Sequence, residues 1–238
     1  MRYIKIFLLL LSLALCPLAL AQDAEVQKIF IEKFPDNACK AIITDLDKVK
    51  TDKISNATQY YTPIYSTSQA NALTSKEKQT LLEMEGNYVA GNILYSYSDK
   101  YRNGVVRQNI PNDKFGIGSV DNALVPCRTI AANRHIYDIG TVIFIPGMAG
   151  KICPQSHTPV DGCFLVGDVG GKITEHGHFD IFAGECMKYN FKSKICEDKN
   201  EANFSVPAGS KFYIVPNNDA HARDFKNEII GYIRNGWK

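Results

Sequence analysis

Between residues 86 and 216 the chain is interrupted every few positions by Gly, Pro, Asn or Asp, and the pieces left between are short and rich in Tyr, Val, Ile and Phe. The pieces are 87–97, 105–110, 127–132, 141–146, 163–168, 178–183 and 211–215. Such lengths leave no room for long helices, and β-branched and aromatic side chains fit a pleated backbone, so the pattern predicts a mainly β chain with a barrel or sandwich core. Residues 56–65, rich in Thr, Tyr and Ile with Pro63 near the end, predict one more strand ending in a turn. At 238 residues and 45% hydrophobic, the chain is long enough for one real core with additions.

Helical periodicity is confined to other parts. Val26, Ile29, Phe30 and Phe34 precede Pro35, and Ile42, Ile43, Leu46 and Val49 follow it, which predicts two short amphipathic helices in an N-terminal extension over 22–54. Thr74 and Glu77 form a capping box ahead of Leu81, Leu82 and Met84 and predict a helix over 75–85, inside an insertion at about 66–125 of a β domain covering 55–238. A closing helix is expected over 219–230.

The first residues carry Arg2 and Lys5, an apolar run from Ile6 to Leu15, then Ala19-Leu20-Ala21 ahead of polar residues. This is the layout of a secretory signal peptide over 1–21, and it predicts an exported protein, periplasmic or secreted, with no integral membrane span after cleavage. Removing it leaves 25 basic against 25 acidic residues. So balanced a chain offers no electrostatic case for nucleic acid, and a monomer is expected.

Six cysteines remain: Cys39, Cys127, Cys153, Cys163, Cys186 and Cys196. An even number in an exported chain points to disulfides. Cys153 with Cys163 and Cys186 with Cys196 would each close a short loop, leaving Cys39 with Cys127. No CxxC supports a redox or zinc-ribbon role.

Chemistry-bearing residues are densest over 163–184, where Asp168 ends one strand and Asp180 lies inside the next, across a Gly-rich connection. A carboxylate framed by Phe179 and Ile181 runs against strand propensity; it is either paired structurally or partly desolvated so that it can act as an acid. A second reading of the stretch is a zinc site from His176, His178 and Asp180, with His157 as a further ligand; against it stands a hairpin with ordinary surface histidines. Gly116-Ile117-Gly118 echoes a dinucleotide loop but has no βαβ context and is set aside.

Three ordered motifs carry a resemblance. The segment from Arg128 through Asn133, Gly140 and Pro146 to Gly147, then Gly167-Asp168-Val169-Gly170-Gly171-Lys172, then Gly177-His178-Phe179-Asp180-Ile181-Phe182, resembles the 3D domain. That domain is the double-psi β-barrel core of the membrane-bound lytic transglycosylase A (MltA) family, and Tyr60-Tyr61-Thr62-Pro63 resembles the strand that opens the barrel there. Asn133 stands where the family usually has its first aspartate, and the connection before Asp180 is a residue longer than in some relatives.

The resemblance implies a double-psi β-barrel with helical additions, and an enzyme that cleaves the β-1,4 bond between N-acetylmuramic acid and N-acetylglucosamine in peptidoglycan. The muramoyl C6 hydroxyl is the internal nucleophile and a 1,6-anhydro sugar the product. One carboxyl group suffices, first protonating the leaving oxygen and then taking the C6 hydroxyl proton. By motif position Asp180 is the acid and base and Asp168 an electrostatic support. Tyr61, Thr62, Asn133, Gly170, Gly171, Lys172 and His178 are implied in binding glycan, and neither cofactor nor metal is implied. A non-catalytic, expansin-like glycan-binding module uses the same barrel and is the alternative; a zinc-dependent wall hydrolase is a further one.

Overall fold

The computed structural model describes residues 49–98, 104–109, 115–119, 123–199 and 203–215, together with 223 and 225. The expected leader over 1–21 and nearly all of the helical extension lie outside them. So does most of the closing helix, of which 223 and 225 are helical.

The chain is mainly β. It begins with β1 (Lys50–Lys53) and β2 (Asn56–Tyr65), continues through α1 (Thr67–Ala72) and α2 (Ser75–Glu85), and then enters β3 (Asn87–Ala90), β4 (Ile93–Ser98) and β5 (Gly104–Asn109). There follow β6 (Thr129–Ala132), β7 (Val142–Phe144), β8 (Cys163–Val169), β9 (His178–Cys186), the small hairpin β10 (Tyr189–Asn190) and β11 (Ile195–Cys196), and β12 (Lys211–Val215). Both helices start where the sequence caps them, with complete capping boxes at Ser66–Gln69 and Thr74–Glu77, and α2 ends on Gly86 in the left-handed conformation. Residues 50–53, expected at the end of the helical extension, are strand instead. None of them is apolar, and they are held by pairing of Lys50 through Lys53 with β12 rather than by a buried face.

Strand order makes the barrel. β12, β7, β8, β6, β9 and β2 are successive neighbours, and β1 pairs the free edge of β12. Because β1 runs into β2, the sheet closes on itself. Among the strands that close the barrel, two parallel pairs, β2 with β9 and β6 with β8, sit among antiparallel ones, giving the double-psi β-barrel, and β3 adds to the other side of β2 in parallel. The seam lies at Ile54 and Ser55: Ile54 N–H donates to Ser210 O at 2.8 Å and Ser55 N–H to Gly177 O at 2.9 Å. Gly177 has φ +68°, and a Cβ there would stand 2.1 Å from Lys53 O, so only glycine fits.

Alternation along the strands sorts the side chains. Phe179 and Ile181 point inward with Ile130, Ile143, Phe164, Val166 and Phe212, and Phe179 meets Phe212 edge to face at 5.1 Å. Their neighbours His178, Asp180 and Phe182 occupy the opposite face. The insertion packs against these strands in two places. Leu81 of α2 and Tyr88 of β3 join Tyr61, Ala183 and Tyr189, while Phe115 and Leu124 join Tyr60, Ala131, Ile173 and Phe182. The expected single run at 87–97 is a hairpin, broken at Gly91 with φ +64°, and β5 extends it.

Two disulfides are present among the described residues. Cys186–Cys196 is as expected, but Cys127 bonds Cys153, with Cα atoms 5.9 Å apart, overturning both Cys39–Cys127 and Cys153–Cys163. The reason is that Cys163 opens β8 and pairs with Phe144 of β7, whereas Cys153 sits in the loop that folds back beside the turn at Cys127. Cys163 is itself disulfide-bonded. Among the described residues no helix is long and apolar enough to cross a membrane.

Candidate active site

The two aspartates are set by sheet register. Ala131 of β6 pairs with Asp168 of β8 on one side and with Asp180 of β9 on the other, and Asp180 in turn pairs with Thr58 of β2. Registered neighbours share a face, so Asp168, Ala131, Asp180 and Thr58 form a row across the outer side of the barrel. Two strand spacings put the aspartate Cα atoms roughly 10 Å apart.

Their surroundings differ. Asp168 accepts four hydrogen bonds: from Val169 N–H at 2.8 Å, Ser119 N–H at 3.1 Å, the Ser119 hydroxyl at 3.3 Å and the Tyr60 hydroxyl at 3.2 Å. Enclosure pushes its carboxyl up to about 6, the burial penalty outweighing the bonds from Val169, Tyr60 and Ser119 that favour the ionised form. Burial and the Asp168 charge together push the Tyr60 hydroxyl well above its ordinary value, so it stays a donor. Asp180 is more open, its side chain 28% exposed. It accepts from the Thr58 hydroxyl, and His178 Nε2 lies 3.6 Å from Oδ1. His178 Nε2 also lies 3.2 Å from Asn56 Nδ2, so the imidazole is held between Asn56 and Asp180.

Around the pair, the loop after β8 folds back over the same face. Gly170 accepts from Ile173 N–H at 3.0 Å, and a Cβ on Gly170 would run into the Ile173 side chain at 2.5 Å. Ile173 is thereby seated on Ala131 and Phe182, with Gly171 and Lys172 exposed at the turn. Asn133 accepts from His135 N–H at 2.9 Å and donates to Thr174 O at 3.2 Å. It thus closes an Asx turn with its carbonyl and ties it to the loop with its amide N–H, a donor that a carboxylate lacks.

The remaining expected residues stand elsewhere. Tyr61 is 2% exposed, wedged among Leu81 and Ala183 with its hydroxyl on Gln59 Oε1 at 3.0 Å, and Thr62 is fully buried. Neither offers a surface to a sugar. His176 faces Asp52 at 3.9 Å and does not join His178 and Asp180, so the zinc cluster fails geometrically. Among the described residues the group whose atoms lie close enough for a metal is Cys186, Cys196 and Asp198, and its cysteines are bonded to each other.

Three residues of the site were missed. Tyr60 lies within the motif that drew attention to Tyr61. Thr58 had no signal beyond strand pairing. Ser119 follows the discarded Gly116-Ile117-Gly118, whose glycines serve a different purpose: a Cβ on Gly118 would be 2.6 Å from Gly167 O and 3.2 Å from Asp168 Cβ. The strap must pass this close for Ser119 to reach Asp168. Asn87 pins its other end, donating to Ile117 O at 3.0 Å and accepting from Ile117 N–H at 3.2 Å.

Residues 128–190 match the family model of the 3D domain, as the motifs predict. A comparison by sequence with curated proteins gives no match. Among solved structures, E. coli MltA with bound chitohexaose is similar at 12% identity and a TM-score of 0.46, over 82% of this chain and 88% of that one. The lytic transglycosylase LtgG of Burkholderia pseudomallei is similar at 14% identity and 0.40, over 79% and 88%. A membrane-bound lytic murein transglycosylase from Agrobacterium tumefaciens is similar at 17% and 0.37, over 59% of this chain and 49% of that one.

Proposed function

We propose that the protein is an exported peptidoglycan lytic transglycosylase, with Asp180 as the single acid and base. The observation that carries this reading is the unequal treatment of the two aspartates. Asp168 is half-buried and already accepts four hydrogen bonds, three on Oδ1 and one on Oδ2, which hold its carboxyl in place. Asp180, in the same row, keeps an open carboxyl oriented by the Thr58 hydroxyl. A site with one available carboxyl suits a reaction that needs one.

In this mechanism the Asp180 carboxyl donates its proton to the glycosidic oxygen as the C1–O4 bond breaks. The carboxylate left behind takes the proton of the C6 hydroxyl as O6 bonds to C1, and Asp180 is regenerated in its acid form. No water is consumed. With a strand between them, Asp168 and Asp180 do not flank one sugar carbon at the short separation of a retaining glycosidase. Asp168, ionised above about pH 6, supplies negative charge in the same row as Asp180, and Tyr60 and Ser119 hold it there. Disulfides at Cys127–Cys153 and Cys186–Cys196 agree with an oxidising compartment outside the cytoplasm.

The test is mass spectrometry of peptidoglycan digested with the mature protein, looking for 1,6-anhydro-muropeptides. Asp180→Asn should lower their release by orders of magnitude, Asp168→Asn by less, and a chelator should leave the wild type unaffected. Near-wild-type release by Asp180→Asn refutes the assignment. Glycan binding by the wild type without any product establishes the binding-module alternative instead.

A further inference from the structure

Two ammonium groups meet on one sulfur where three parts of the chain converge. Lys172, in the loop after β8, places Nζ 3.6 Å from Met84 Sδ in the last turn of α2. Lys194, in the β10–β11 hairpin, places Nζ 3.7 Å from the same sulfur. The two charges are therefore no farther apart than those two contacts laid end to end. A thioether is a weak acceptor and neutralises neither. Among the described residues no carboxylate pairs with either lysine; the ion pairs there join Arg128 to Asp161, His176 to Asp52 and His178 to Asp180.

The surrounding hairpin adds to this charge. Between Cys186 and Cys196 stand Lys188, Lys192 and Lys194 and no acidic residue; Glu197 and Asp198 follow at the base, where they bond to the Asn190 amide and to the backbone of Met187 and Lys188. All three lysines and Lys172 are exposed. The hairpin is also held in place: the Cys186–Cys196 bond closes it, Asp198 accepts from Met187 N–H and Lys188 N–H at its base, and the Tyr189 hydroxyl donates to the buried Glu85 at 2.8 Å. It continues directly from the strand that carries Asp180, and the Lys172 loop lies on the same face through Ile173. Like charges held together on one face favour an anionic ligand that bridges them.

We propose that Lys172 and Lys194, backed by Lys188 and Lys192, bind the carboxylates of the peptide carried by the glycan strand, so that this protein prefers peptide-bearing peptidoglycan to naked glycan. The inference rests on the glycan reading of the Asp180 site and gives it a substrate class. Muramoyl residues bear their peptides on the lactyl group, and those peptides supply free carboxylates alongside the sugar chain.

The experiment is co-sedimentation of the full mature protein with intact sacculi and with glycan stripped of peptide by an amidase, at low and high salt. Each exposed charge pair is expected to change affinity by about two- to fivefold. The wild type should therefore bind intact sacculi more tightly than stripped strands, less so at high salt. K172Q/K194Q should lose the preference and K172R/K194R should keep it, with circular dichroism showing all variants folded. Equal binding of the wild type to both materials overturns the proposal, as does a preference that survives K172Q/K194Q. Lysine-dependent binding to anionic phospholipid vesicles without a peptide preference overturns it too. Anhydro-muropeptide release is measured separately: a peptide preference without product refutes the catalytic reading alone, and product without a preference refutes this one alone.

Discussion

Replacing Asp168 by Asn isolates the energetic consequence of enclosing a carboxylate beneath the Ser119 strap. Burial raises Asp168 from an ordinary 3.8 to about 6. An acid whose folded value lies above its unfolded value carries extra bound proton in the native state between the two. Stability attributable to it is therefore greatest at low pH and declines as pH rises from about 4 through about 6. At about 1.4 kcal/mol per tenfold change in the protonation equilibrium, the gap corresponds to about 3 kcal/mol as an upper figure. Asn bears no charge at any pH, and its carbonyl can still accept from Val169 N–H and Ser119 N–H, so D168N lacks the pH-dependent part and keeps much of the rest. Denaturant unfolding of both proteins near pH 4 and near pH 7.5 reads the effect. The stability of D168N relative to wild type should rise by about 2–3 kcal/mol between the two conditions, other titrating groups cancelling in the difference. Parallel stability profiles would refute the account of Asp168 as an enclosed, partly ionised group.

Gly177→Ala should open the barrel seam, because its Cβ would stand 2.1 Å from Lys53 O and φ is +68°. A loss of about 2–3 kcal/mol is expected from that strain, seen as a lower Tm, and an unchanged Tm would contradict the geometry. Non-reducing peptide mapping should recover Cys127 linked to Cys153 and Cys186 linked to Cys196; a Cys153–Cys163 peptide would contradict the pairing.

The strand pattern gave a mainly β chain with a barrel or sandwich core, and the motifs that carry the resemblance gave the double-psi barrel and pointed to Asp168 and Asp180, because strand pattern and motif are local properties. Phe179 and Ile181 against His178 and Asp180 read as one inward and one outward face from their alternation alone. What stayed illegible depends on contacts distant in sequence. Tyr60 and Tyr61 are adjacent and chemically identical, and a register shift between Tyr60 and Thr62 accompanies their separate destinations, one on Asp168 and the other under α2. Ser119 reaches Asp168 across 49 positions, and nothing near Ser119 announces that destination. The cysteine pairing failed for the same reason. Loop length favours Cys153–Cys163 in an open chain, but sheet pairing had already committed Cys163 to a strand beside β7. Lys50–Lys53 has no apolar pattern of its own and becomes a strand through the partner that comes to it.

That partner, β12, lies between β1 and β7 and is the last described strand in the sequence. During synthesis the chain is made from its N-terminus, so β7 has left the ribosome before residues 211–215 exist. Until they arrive, β1 has no neighbour and β7 shows a free edge, a template for pairing with other chains. The Cys127–Cys153 loop and the row bearing Asp168 and Asp180 need no part of β12 and can assemble earlier. Closure of the described sheet therefore waits for the strand that comes last in sequence, and a chain cut short before residue 211 would keep both edges unpaired.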